Sequence, residues 1–90
     1  MKYSPSERKA LILTRLQQAF APTLLEVIDE SAQHVGHQGA AAGGSHFALK
    51  IAAPAFHGVS LLKQHQLIYQ ILQDLIPQEI HALKIRVVAL

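Results

Sequence analysis

The sequence predicts a small α+β domain: two layers in the order α-β-β-α-β, with a three-stranded mixed sheet and both helices on one face. Three observations carry that expectation. An apolar repeat at helical spacing follows Ser4-Pro5, residues 46–52 alternate strictly, and a second helical stripe precedes a closing alternating run.

The first helix has a complete start signal. Ser4 is placed to cap it, Pro5 suits the first helical position, and Glu7 closes a capping box. Leu13, Leu16 and Phe20 then recur at helical spacing, with Arg8, Arg15 and Gln18 elsewhere on the cylinder and Pro22 ending the run. Residues 24–30 read as a short strand, with Leu25 and Val27 on one side and Glu26 and Glu30 on the other. In the next strand, residues 46–52, Phe47, Leu49 and Ile51 point inward and His46, Ala48 and Lys50 outward.

Between these two strands lie 14 residues, 31–44, holding four glycines and four alanines without an apolar period. Hairpin loops usually hold about two to five residues, so a connection this long is a candidate for function. Pro54 to Gly58 read as a turn. Ser60 is placed to cap a second helix whose stripe is Leu61, His65, Ile68, Leu72 and Leu75. Pro77 follows that helix, and residues 80–88 close the chain as a strand with His81, Leu83, Ile85 and Val87 on one face.

Composition narrows the function classes. The chain has 90 residues and no cysteine, which excludes disulfides, thiolate metal sites and thiol catalysis from within it. A chain of this size buries only about 60–65% of the surface its unfolded form exposes, so its stability margin is thin. No apolar run approaches the ~20 residues a membrane span needs. The start, Met1 to Pro5, lacks the apolar stretch of a signal peptide, and the expectation is a cytoplasmic protein. The net charge of +2 is dispersed, giving only weak attraction to phosphates. No nucleophile with a base and an orienting group stands out, so an enzyme is not expected.

The compositional anomaly is six histidines. His34 and His37 fall in the glycine-rich connection, where a flexible backbone lets neutral imidazoles reach a metal. His46 opens the second strand, and His81 opens the last, where a side chain can reach the rim of the sheet. His65 lies on the second helical stripe and reads as a packed, hydrogen-bonded core residue. His57, in the turn, has no assigned role.

Taken in order, Asp29-Glu30-Ser31, Ser45-His46-Phe47, Phe56-x-Gly58, His65-x-x-x-Tyr69 and His81-Ala82-Leu83 resemble the recurrent pattern of the BolA family. The resemblance covers roughly residues 6–88 of a single domain spanning 1–90. It implies a KH-like fold of the second type. It also implies pairing with a monothiol glutaredoxin and a [2Fe–2S] cluster shared with that protein and its glutathione. The family's hallmark ligand is the histidine of H-A-L, here His81. The second ligand follows the D-E-S strand as Ser-x-x-His, which matches His34, with His37 and His46 as alternatives. One iron would then carry two imidazoles and the other two thiolates, an arrangement similar to Rieske ligation.

The same resemblance implies a second role, transcriptional regulation through DNA. Its candidate contacts here are Lys63 on the second helix and Lys50, Lys84 and Arg86 on the sheet. The family's R-H-R is Gln64-His65-Gln66 in this chain, which removes two basic side chains from that region.

Overall fold

The structure, a computed structural model, describes residues 2–31 and 45–89. Helix α1 spans Pro5–Phe20, and the expected capping box is formed in full: Ser4 accepts from the Glu7 N–H and the Glu7 carboxylate accepts from the Ser4 N–H. The helix stops at Phe20, before Pro22. Ala21 takes a left-handed conformation (φ 44°) and returns its N–H to the Gln17 carbonyl, and Pro22 follows that cap.

Strand β1, Leu24–Asp29, pairs antiparallel with β2, His46–Ala52, from Leu24↔Ala52 to Asp29↔Phe47. A short turn, Pro54–Phe56, leads through Gly58 to helix α2, Leu61–Leu72, capped by the Ser60 hydroxyl, which accepts from the Lys63 N–H. A further helical turn, Gln73–Leu75, precedes β3, Ala82–Val87. β3 lies parallel to β2, from His46↔Ala82 to Ile51↔Val87, and the sheet order is β1-β2-β3. A parallel neighbour requires a crossover, and α2 supplies it.

The alternation of β2 decides the layers. Phe47, Leu49 and Ile51 are buried against Ile12 and Leu16 of α1 and Ile68 and Leu72 of α2. His46, Ala48 and Lys50 occupy the opposite face. The expected two-layer α+β architecture with a mixed sheet is therefore the observed one.

Three local readings change. Leu61, placed on the core stripe of α2, is 64% exposed, because it opens the helix ahead of the part of that stripe, Ile68, Leu72 and Leu75, that the core covers. β3 begins at Ala82, so Ile80 packs in the core from the preceding turn and His81 stands exposed before the strand. Arg8, read as lying off the apolar stripe, is buried, because it falls in the same i, i+4 column as Ile12 and Leu16.

Candidate functional site

A buried charge needs a partner, and Arg8 has one. Its Nε meets Glu79 Oε1 at 3.1 Å, with both side chains almost wholly shielded. Glu79 also accepts from the backbone N–H groups of Lys2 (2.8 Å) and Tyr3 (3.0 Å), which latches the segment before α1 to the turn before β3. The Lys2 N–H, then the Tyr3 N–H and the Arg8 guanidinium, hold the Glu79 carboxylate below the usual carboxylate range against the opposing effect of burial.

Ser45 joins this cluster to the sheet. It is 2% exposed; its hydroxyl donates to the Glu79 carbonyl and lies 3.5 Å from Arg8 Nη1. Its own carbonyl accepts from the His81 N–H (2.8 Å) and the Ala82 N–H (3.1 Å). The residue before β2 thus fixes the residue before β3.

Parallel pairing puts both strand starts at the same end of the sheet. There the His46 and His81 rings face each other with centroids 5.3 Å apart and planes inclined at 56°. Two imidazole nitrogens each ~2.1 Å from one metal ion at a tetrahedral angle place their ring centroids ~5 Å apart. The spacing therefore fits two nitrogen ligands on one metal.

Both ends of the long connection are fastened beside this pair. The Glu30 N–H donates to the His46 carbonyl (2.7 Å), and the His46 N–H donates to Ser31 Oγ (3.1 Å). His34 and His37 belong to that connection and lie outside the described residues. Among the described residues, no group of three or more His, Cys, Asp or Glu side chains is arranged to hold a metal ion.

The remaining candidates are dispersed. His65 is half-buried, and its Nε2 is shielded without a hydrogen-bond partner among the described residues, where a hydrogen-bonded residue was expected. His57 is exposed beside a cleft of about 460 Å³ at the far end of the sheet, lined also by Phe56, Val59, Gln64 and Val87. Gln64 at its rim donates to the Phe56 (3.2 Å) and Val59 (3.0 Å) carbonyls, which occupies it locally. Lys50 and Arg86 are register partners on the outer sheet face, with Glu26 completing the row. Lys84 is paired with Glu30 at 3.2 Å, and Lys63 is exposed near the start of α2.

The residues that sequence reasoning missed are Arg8, Ser45 and Glu79. Arg8 carried a signal in its i, i+4 spacing to Ile12 and Leu16. Glu79 carried none, because its partner lies 71 positions away.

Fold and site together define a small α+β domain that presents a histidine pair at one end of a mixed sheet. Residues 16–90 match the family of BolA-like proteins, and the chain belongs to that family. It is similar to SufE-like protein 1, chloroplastic/mitochondrial, of Arabidopsis thaliana, with 46% identity over 79 residues, covering 82% of this chain and 21% of that protein. It is 36% identical over 69 residues to the DNA-binding transcriptional regulator BolA of Escherichia coli, covering 77% of this chain and 63% of that one. The solved BolA domain of SufE1 from Arabidopsis thaliana superposes with a TM-score of 0.81 at 41% identity, covering 96% of this chain and 95% of that one. This chain thus spans about a fifth of the first relative's length and under two thirds of the second's. Among the described residues no helix is long and apolar enough to cross a membrane. The first relative's name places that protein in organelles, so the cytoplasmic expectation gains no support from it.

Proposed function

We propose that this chain is a non-enzymatic partner of a monothiol glutaredoxin, binding a [2Fe–2S] cluster as cargo through histidine during cluster assembly, trafficking or iron sensing. The observation that carries the reading is the 5.3 Å spacing of the His46 and His81 rings at the end of the sheet where the long connection is fastened. His81 is one ligand. His46 is the described imidazole beside it, with ring centroids 5.3 Å apart, and His34 and His37 are the competing donors from the connection. Ligation requires neutral imidazoles, so cluster binding weakens in acid. The chain contributes nitrogen ligands, and the partner contributes its cysteine and glutathione thiolates.

The test is a titration of the chain into a [2Fe–2S]-loaded monothiol glutaredoxin followed by visible circular dichroism. A new spectrum saturating near one-to-one and lost in His81→Ala supports the reading. Single His34→Ala, His37→Ala and His46→Ala variants rank the second ligand. An unchanged spectrum on mixing removes the cluster role for that partner.

The second reading, a DNA-binding regulator, has one specific support: the Escherichia coli relative is named a DNA-binding transcriptional regulator. The surface gives it little, because among the described residues the outer sheet face carries only the cations Lys50, Lys84 and Arg86, with Glu26 and Glu30 beside them, where a duplex backbone calls for several phosphate contacts. Binding to a duplex through these side chains would fall steeply with salt and weaken in Lys50→Ala or Arg86→Ala. A mobility shift insensitive to both would dismiss it.

A further inference from the structure

β3 is a terminal strand of the sheet, and its hydrogen bonds show which groups face outward. The Ala82 N–H goes to the Ser45 carbonyl and the Val88 N–H to the Ile51 carbonyl, both toward β2. Peptide groups alternate sides along a strand, so the N–H and C=O groups of Leu83, Ile85 and Val87 point away from the sheet. Among the described residues, the hydrogen bond made to these outward groups is a long one, 3.4 Å, from the Tyr69 hydroxyl to the Leu83 carbonyl. The edge is thus a row of three residues able to receive another strand.

An apolar shelf runs beside it. Tyr69 meets β3 near Leu83, while Gln64 lies with Val87 at the other end, so α2 runs antiparallel along this edge. Leu62 lies two turns before Tyr69 on the same side of the helix and is 70% exposed. The helix-facing side chains of β3, Leu83, Ile85 and Val87, are only half-buried. On the opposite face of the same strand stand two exposed cations, Lys84, whose ammonium also meets Glu30 at 3.2 Å, and Arg86.

We infer that the outer edge of β3 is a docking site for an extended acidic segment of another protein, added as a fourth strand. Such a segment bonds to the outward groups of Leu83, Ile85 and Val87. Its alternate apolar side chains lie on the shelf of Leu62 and Tyr69, and its alternate carboxylates lie beside Lys84 and Arg86. A second copy of this chain is the wrong occupant. A two-fold antiparallel pair centred on Ile85 sets Lys84 opposite the other copy's Arg86, twice, and pairs centred on Lys84 or Arg86 set like charges face to face. Charge complementarity therefore selects an acidic partner, independently of the histidine pair.

The experiment uses the full chain labelled with 15N and a soluble eight-residue peptide alternating valine and glutamate. The expected result is saturable shifts at Leu83, Ile85 and Val87, slowed exchange of those three amides, and binding that weakens as salt rises. A peptide alternating valine and lysine binds at least tenfold more weakly. The Lys84→Glu/Arg86→Glu variant reverses that preference; because it also removes the Lys84–Glu30 ion pair, its amide spectrum is checked for the parent fold before the titration. His81→Ala binds the glutamate peptide as the parent does, which separates this outcome from failure of the cluster reading. Equal binding of both peptides, shifts confined to other surfaces, or no shifts at millimolar peptide would each overturn the inference. Slowed exchange that appears without peptide and rises with protein concentration would assign the edge to a second copy instead.

Discussion

Replacing Ser45 with alanine separates what its hydroxyl contributes to stability from what its backbone carbonyl contributes to the site. Ser45 is 2% exposed, and its Oγ donates to the Glu79 carbonyl within a cluster that water does not reach. Removing the hydroxyl deletes that bond and leaves a shielded carbonyl without a donor, which costs about 1–3 kcal/mol. The Arg8 Nη1 contact, at 3.5 Å, is at the limit of hydrogen-bond geometry and adds little. The expected loss is therefore about 2 kcal/mol. With a urea m-value of roughly 1 kcal/mol per molar for so small a chain, the unfolding midpoint falls by roughly 2 M. Alanine keeps the backbone carbonyl that accepts from the His81 and Ala82 N–H groups, so the two rings retain their spacing. Urea unfolding by circular dichroism reads the first effect, and a nuclear Overhauser contact between the His46 and His81 rings reads the second. A loss under about 0.5 kcal/mol, or a vanished ring contact in a folded variant, would refute the reasoning.

Three further outcomes follow from the same geometry. His81→Ala leaves stability within about 0.5 kcal/mol, since the side chain is exposed, while removing cluster binding; a calorimetric scan showing a large fall in Tm would make His81 a structural residue. Gly58→Ala costs about 1 kcal/mol purely through the backbone, because φ is 73° and an added Cβ meets nothing within 4 Å; unchanged thermal stability would contradict that conformation. Glu79 is held below the ordinary glutamate range of about 4.3, so the stability it contributes is complete above that range and is lost as pH falls through the lowered folded value. Stability measured against pH in the acid range should fall less steeply in Glu79→Gln than in the parent, and parallel curves would reject the latch.

The alternation of Phe47, Leu49 and Ile51 was legible without any structure, because a half-buried strand must place every second side chain in the core. The capping box of α1, the Ser60 cap and the proline punctuation were legible for a similar reason, since each acts within a few residues. Leu61 was misplaced because a helical stripe defines a face but not how far the neighbouring layer extends over it.

What the sequence by itself determined is the order of elements, the inward face of each strand, and the family through short motifs held in register. Those properties depend on local stereochemistry and on which side chains avoid water. Only the tertiary structure decided that His46 and His81 meet, because 35 residues separate them and only the parallel pairing of β2 and β3 brings both strand starts to one end. The Arg8–Glu79–Ser45 cluster likewise exists only after folding, since a buried ion pair is defined by desolvation that no single segment undergoes alone.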